Sequence, residues 1–196
     1  MNGKDLRVEL LREAYAEGWF PMTVDEEANE VEWFQPYERC LFPVEGIRVS
    51  KSLRKTLNSN TFTVTFDTAF EEVMWACRRP EDNWITKDFV RVYGEAHRQG
   101  WGHSCEVWLA EELVGGTYGL ALGGAFFAES MFHRVTDASK VALFHMVETC
   151  RAKGFVLFDA QILNPHLASL GAYTITNQAY MHMMKSALRV RTEWST

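Results

Sequence analysis

Glu129, Asp159 and Gln161 are the side chains best placed to do chemistry in this 196-residue chain. Each sits inside an oily stretch, Glu129 in LVGGTYGLALGGAFFAESMFHR and the other two in FVLFDAQIL. A carboxylate in such surroundings is costly unless it is partnered. One alone would read as a satisfied buried network or a strand-end cap. Three on two neighbouring strands favour a site, whose means would be hydrogen bonding, charge and proton transfer. Strand alternation places Asp159 and Gln161 on one face, with Phe158, Ala160 and Ile162 on the other. Other common chemistries lack their residues. None of the six histidines has HExxH or another metal-ligand spacing, and there is no GxSxG elbow and no P-loop. His103, His133 and His166 fall near glycine-rich or polar segments and each reads as structural. No metal and no cofactor are expected.

These side chains need a strand pair, a helix and a further strand to position them. Glycines 115, 116, 119, 123 and 124 punctuate two strands, which signals twist, bulges or close backbone approach. Leu143, Met146, Val147 and Cys150 recur at helical spacing after Asp137, and Lys153-Gly154 closes that helix. A strand, a helix and a strand in succession imply a parallel crossover. Upstream, residues 5–17 read as a helix stopped by Gly18, residues 19–22 as an apolar turn, and the acidic run 25–32 as a solvated loop. VEWFQP and RCLFPVEGIRV read as short strands. Ser50 caps a short helix on which Lys51, Arg54 and Lys55 share one face, a plausible phosphate-binding cluster. Residues 61–66 alternate as a strand, and Thr68 to Glu71 matches a capping box. Residues 81–86 form a loop that carries Trp84, 87–99 a helix, and 101–109 a strand ending in a hairpin turn. A last helix near 177–190 has a methionine-rich face suited to the core.

Composition narrows the class. The length suits one domain, or one domain with a small appended lobe. A net charge of −6 excludes a general nucleic-acid coat, so any RNA contact must come from a local basic patch. Cys40, Cys77, Cys105 and Cys150 are scattered without CxxC spacing, which suggests reduced thiols in a cytosolic protein. The polar start is no signal peptide, and no apolar run approaches the ~20 residues of a membrane helix. A soluble cytoplasmic protein follows, with neither membrane nor DNA as a partner.

The strand and helix order resembles the acetyltransferase-like core known as the GNAT fold. In acetyl-CoA users a glycine-rich junction after the fourth strand holds the pyrophosphate. Here that junction, residues 132–138, contains no glycine. A more specific resemblance is carried by EGWFPM, WITKDFVRVYGEAHRQGWGHSCEVW, LVGGTYGLALGGAFFAESMFHR, ASKVALFHM and FDAQILNPHLASLGA. In that order and spacing, from about Leu6 to Gly171, they resemble the leucyl/phenylalanyl-tRNA–protein transferase family.

That resemblance implies a mixed α/β fold, a GNAT-like sheet flanked by helices, with a small N-terminal lobe in residues 1–60 and the catalytic domain in 61–196. It implies a monomeric enzyme that moves Leu or Phe, less readily Met, from aminoacyl-tRNA to the N-terminal Arg or Lys of a protein, marking it for N-end-rule degradation. Asp159, Gln161 and Glu129 would be catalytic. Asp159 would polarise the Gln161 amide or clamp the acceptor's cationic side chain. Trp84 would stack on the terminal adenine, facing Met22 where the family has a tryptophan. Thr117, replacing a methionine, would line the aminoacyl pocket with Phe126, Met131, Leu143, Cys150 and Phe158. Lys51, Arg54 and Lys55 would bind the acceptor stem, with Asn58 and Ser59 in place of later family cations. The family's leading LGGDLS segment is absent, leaving a reduced lobe. Two rival readings are an acetyl-CoA-dependent N-acetyltransferase and a non-catalytic module for protein N-termini or RNA.

Overall fold

The computed structural model describes residues 1–79 and 83–194. A 3₁₀ turn (Gly3–Asp5) leads into helix α1 (Val8–Ala16), and β1 (Phe20–Asp25) pairs with β2 (Glu30–Phe34) as a separate hairpin. There follow β3 (Glu38–Phe42), α2 (Lys51–Leu57), β4 (Thr63–Phe66), α3 (Phe70–Ala76) and α4 (Lys87–Arg98). β5 (Gly102–Leu109), β6 (Glu112–Leu122) and β7 (Ala125–His133) form an antiparallel meander. Helix α5 (Ala138–Ala152) carries the chain to β8 (Leu157–Gln161), and α6 (Pro165–Ser169), β9 (Tyr173–Thr176) and α7 (Asn177–Ala187) complete it.

Seven strands make one sheet in the order β4-β5-β6-β7-β8-β3-β9. It is mixed: β7 and β8 run parallel across the α5 crossover, as the strand–helix–strand succession implied, and the other pairs are antiparallel. One core packs α1, α3, α4 and α7 on one face of the sheet, around Tyr15, Val73, Phe89, Phe127 and Tyr180. The other packs α2, α5 and α6 on the opposite face, around Leu53, Leu143, Met146, Phe158 and Leu167. This is the mixed α/β sheet flanked by helices that the sequence implied.

Several local expectations change. Residues 20–22 are strand and not an apolar turn, and the acidic run gives way to β2 at Glu30. Thr68 does not cap α3. The N-cap is Ala69, without a side-chain bond, and the Thr68 hydroxyl donates to Glu106 at 2.9 Å. Glu106 is fully buried and needs donors from Thr65 (2.7 Å) and Thr68 more than the helix end needs a cap. The large sheet also takes β3 from within residues 1–60, placing it between β8 and β9.

Two one-residue bulges shape the middle of the sheet. On β7, Ala128 pairs with Gly119 and Ser130 with Tyr118, so Glu129 is the extra residue. On β8, Asp159 pairs with Leu41 and Gln161 with Cys40, so Ala160 is extra, and Gln161 takes a left-handed φ of 59°. The β7–β8 pairing runs from Ala125/Leu157 to Phe127/Asp159. Beyond it both strands are bulged and re-aim their side chains. Gly119 makes the first bulge possible: a Cβ there would press into the Phe127 carbonyl oxygen and lie 2.7 Å from the Phe126 ring. Gly119→Ala is therefore expected to cost about 2 kcal/mol or more, read as a lower urea midpoint with an unchanged slope; an unchanged midpoint would show that the bulge tolerates a side chain.

Candidate active site

Asp159 is fully buried on a strand and held by a full set of donors. Arg39 of β3, also fully buried, donates from Nε (2.9 Å) to Oδ1 and from Nη2 (2.7 Å) to Oδ2. The Tyr180 hydroxyl donates to Oδ2 at 2.6 Å, and the Gln161 backbone N–H to Oδ1 at 2.8 Å. The Arg39 guanidinium lies against the rings of Phe20 and Tyr180, and its Nη1 donates to the Gly18 carbonyl at 3.0 Å. Burial opposes the charge of Arg39, but the Asp159 carboxylate beside it holds its pKa above the ordinary value. Asp159 thus meets Gln161 through the main chain and not through the amide, and its lone pairs are taken. Neither direct role that the resemblance implied, polarising the amide or clamping an incoming cation, fits this arrangement.

Glu129 and Gln161 meet where the strands have stopped pairing. Gln161 Nε2 donates to Glu129 Oε1 at 2.7 Å, which leaves the amide oxygen as an acceptor. Tyr15 donates to the same carboxylate oxygen at 2.7 Å and Tyr93 to Oε2 at 3.2 Å, and the two phenols lie 2.8 Å apart. Burial first, and then the charge of Asp159, push the Glu129 carboxyl up to about 8, against the opposing pull of the tyrosine hydrogen bonds and Arg39. Burial and the neighbouring Glu129 charge raise both phenols well above their usual value, so they remain donors. A carboxyl at about 8 changes charge near neutral pH, which suits a group that exchanges a proton.

The pair lies in a cleft of about 590 Å³, inside the ~300–1,000 Å³ range of small-molecule sites. Met22, Trp84, Thr117, Glu129, Met131, Leu143 and Gln161 line it, so the structure brings these expected residues together. Phe126, Cys150 and Phe158 are fully or almost fully buried in the core that packs α5 and do not line the cleft. Ala160, Gln161 and Ile162 all face the cleft while Asp159 does not, because the bulge at Ala160 breaks the alternation. Lys51, Arg54 and Lys55 are exposed on α2 outside the cleft, and that helix is tied to the start of α5 by a bond from Thr56 to Asp137 at 3.3 Å. Thr117 spends its hydroxyl on the Ser130 carbonyl at 3.0 Å.

Arg39, Tyr15, Tyr93 and Tyr180 were missed in the sequence. A cation inside RCLF was the one available signal, whereas the tyrosines sit on apolar helix faces and read as core. Among the described residues no cluster of histidine, cysteine or acidic side chains is arranged to hold a metal, and no helix is long and apolar enough to cross a membrane. Cys77 lines the cleft, but burial pushes its thiol up to about 12, which makes it inert as a nucleophile.

A cleft of mixed lining that holds a carboxyl poised near neutrality beside an oriented amide has the groups to orient an amine and take up its proton, as a transferase acting on amines requires. The profile of the leucyl/phenylalanyl-tRNA protein transferases matches residues 41–185, and that of the same family's N-terminal domain matches residues 4–36. The chain belongs to that family. It is 47% identical over 184 residues to the leucyl/phenylalanyl-tRNA–protein transferase of Chlorobium limicola, covering 92% of this chain and 94% of that one. The enzyme of the same name from Paramagnetospirillum magneticum is 48% identical over 196 residues, covering 97% and 93%. Among solved structures, L-PGS from Bacillus licheniformis aligns with a TM-score of 0.43 at 10% identity, over 80% of this chain and 51% of that one. A GCN5-related N-acetyltransferase-like protein from Streptococcus suis aligns with a TM-score of 0.39 at 14% identity, over 86% and 64%.

Removing one member of the buried ion pair leaves the other uncompensated. Arg39→Met is expected to destabilise the fold by about 3–5 kcal/mol at neutral pH. Replacing both partners, Arg39→Met/Asp159→Leu, should recover part of that loss, a comparison that urea titrations of the two variants would read. A double variant less stable than Arg39→Met would mean that Arg39 acts through packing alone.

Proposed function

We propose that the cleft binds the aminoacylated 3′ end of a tRNA carrying Leu or Phe, less readily Met, and that the acceptor is a protein with an N-terminal Arg or Lys. As a family member the chain is an aminoacyltransferase. The observation that carries the reaction is the Glu129–Gln161 bond in the cleft, at the point where β7 and β8 have ceased to pair. The acceptor's α-amine attacks the carbonyl carbon of the aminoacyl ester, a C–N bond forms, and the C–O bond to the terminal ribose breaks. The amine's proton leaves as the ribose hydroxyl gains one. Glu129, with a carboxyl near 8, is matched to an α-amine whose unperturbed pKa is ~8. It accepts the shed proton, while the Gln161 amide oxygen aims the amine. Asp159 positions Gln161 through its backbone N–H. An ester is already activated, so positioning and one proton transfer carry the step.

Trp84 stacks on the terminal adenine with Met22 as the other cover, and Thr117, Met131 and Leu143 hold the aminoacyl side chain, backed by Phe126, Cys150 and Phe158. Lys51, Arg54 and Lys55 meet the phosphates of the acceptor stem. The enzyme works in the cytoplasm as a monomer, and its products enter N-end-rule degradation.

Purified protein, Phe-tRNA or Leu-tRNA, and peptides beginning with Arg, Lys or Ala provide the test, read by peptide mass. One residue should be added to the Arg and Lys peptides and none to the Ala peptide. Glu129→Gln should lower the rate by ~10²-fold or more at neutral pH. Below about pH 7 both Glu129 and the amine must lose a proton, so the wild-type log rate should rise with a slope near two and the variant's with a slope near one. A wild-type slope of one would remove Glu129 as the base.

A further inference from the structure

The cleft has an outer tier. Met131, Leu143 and Leu167 line its apolar part, and each has a cationic or titratable side chain close by on its own element. On β7, His133 lies two residues past Met131, on the same face of the strand. On α5, Lys140 lies three residues before Leu143, on the same side of the helix. On α6, His166 is next to Leu167, and Arg79 lines the cleft itself. Arg79, His133 and Lys140 each stand within electrostatic reach of His166. Burial first, and then the charges of Lys140, His133 and Arg79, lower the pKa of His166 below its usual value. The acid at this rim is Asp137, which accepts from Lys140 at 2.7 Å and, on its other oxygen, from Thr56 of the basic helix α2 at 3.3 Å. His133 Nδ1 lies 3.4 Å from the Ser139 hydroxyl. In a chain of net charge −6, a rim where cations crowd an imidazole is unfavourable until an anion arrives.

We propose that this rim is a phosphate site, in which Arg79, His133, Lys140 and His166 take the backbone phosphate on the 5′ side of the donor's terminal adenosine. The inference rests on the aminoacyl-tRNA reading of the cleft. The apolar tier receives the adenosine and its aminoacyl group, and the outer tier receives the first charge of the strand leading away. The guanidinium offers two parallel donors, the ammonium a point charge, and the imidazoles ring N–H donors, to which His166 adds charge once protonated. The Thr56–Asp137 bond makes α2 the next stretch of the same surface, so the strand meets cations continuously between the cleft and the acceptor stem.

Two probes separate this site from the reading beneath it: 3′-deoxy-3′-(phenylalanylamino)adenosine, a stable amide analogue of the donor end, and its 5′-(methyl phosphate) diester, which carries one negative charge between pH 6 and 8. Calorimetric titration of the full chain should show the diester binding at least about tenfold tighter at pH 6. The ratio should fall at pH 8 as His166 loses its proton, and should shrink at least severalfold in Lys140→Ala/His166→Ala, where one side chain is exposed and the other partly so. Equal binding of the two probes, or a ratio kept in the double variant, would overturn the phosphate site and leave the donor reading standing. Failure of both probes to bind would overturn the donor reading and the phosphate site together.

Discussion

The buried pair of Arg39 and Asp159 is the constraint on which the rest of the site depends. A charge of either sign in that core would be prohibitive alone, and together they are tolerable because each is supplied with hydrogen bonds on several sides. The pair thereby fixes four pieces of chain at once. It holds β3 against β8, seats α7 through Tyr180, anchors the start of the hairpin through the Gly18 carbonyl, and sets the backbone of Gln161. None of these contacts reaches the cleft, yet the amide that faces the cleft is aimed by them.

Around that anchor the sheet makes its opening by irregularity. A regular parallel pair would carry β7 and β8 past Phe127 and Asp159 as a closed ladder, with side chains alternating into the two cores. One added residue on each strand ends the ladder and turns Glu129 and Gln161 toward each other across the gap. The left-handed φ of Gln161 is the local cost of that turn. The two phenols behind Glu129 keep the carboxyl hydrogen-bonded where it lines the cleft, and they temper the rise in pKa that burial and the Asp159 charge impose.

Features encoded by neighbours in sequence were legible. The α5 period with Gly154 as its stop, the Ser50 cap and the two-glycine hairpin between β6 and β7 follow from local chemistry, and so does the parallel crossover. Glu129 and Gln161 stood out because polar groups in oily strands need a reason. What stayed hidden was pairing over distance. Nothing near Arg39 announces a partner 120 residues away, and Tyr15 and Tyr93 show on their helices only that they face inward. Thr68 carries a sound capping pattern that a buried Glu106 outbids. Alternation along β8 predicted a shared face for Asp159 and Gln161, and one bulged residue undid it.

The position of β3 between β8 and β9 also sets an order of assembly. Both of its sheet neighbours are made late, and the 120 residues from Arg39 to Asp159 take roughly 6–24 s to synthesise at ~5–20 residues per second. Throughout that interval the strand has two free edges on the nascent chain, the condition under which strands of different molecules join. Arg39 places a cation one residue into it, and an inward-pointing charge is a means by which unpaired strands resist such joining. A residue that ends up fully enclosed in the finished enzyme is thus the one that guards its strand while the partners are still being made.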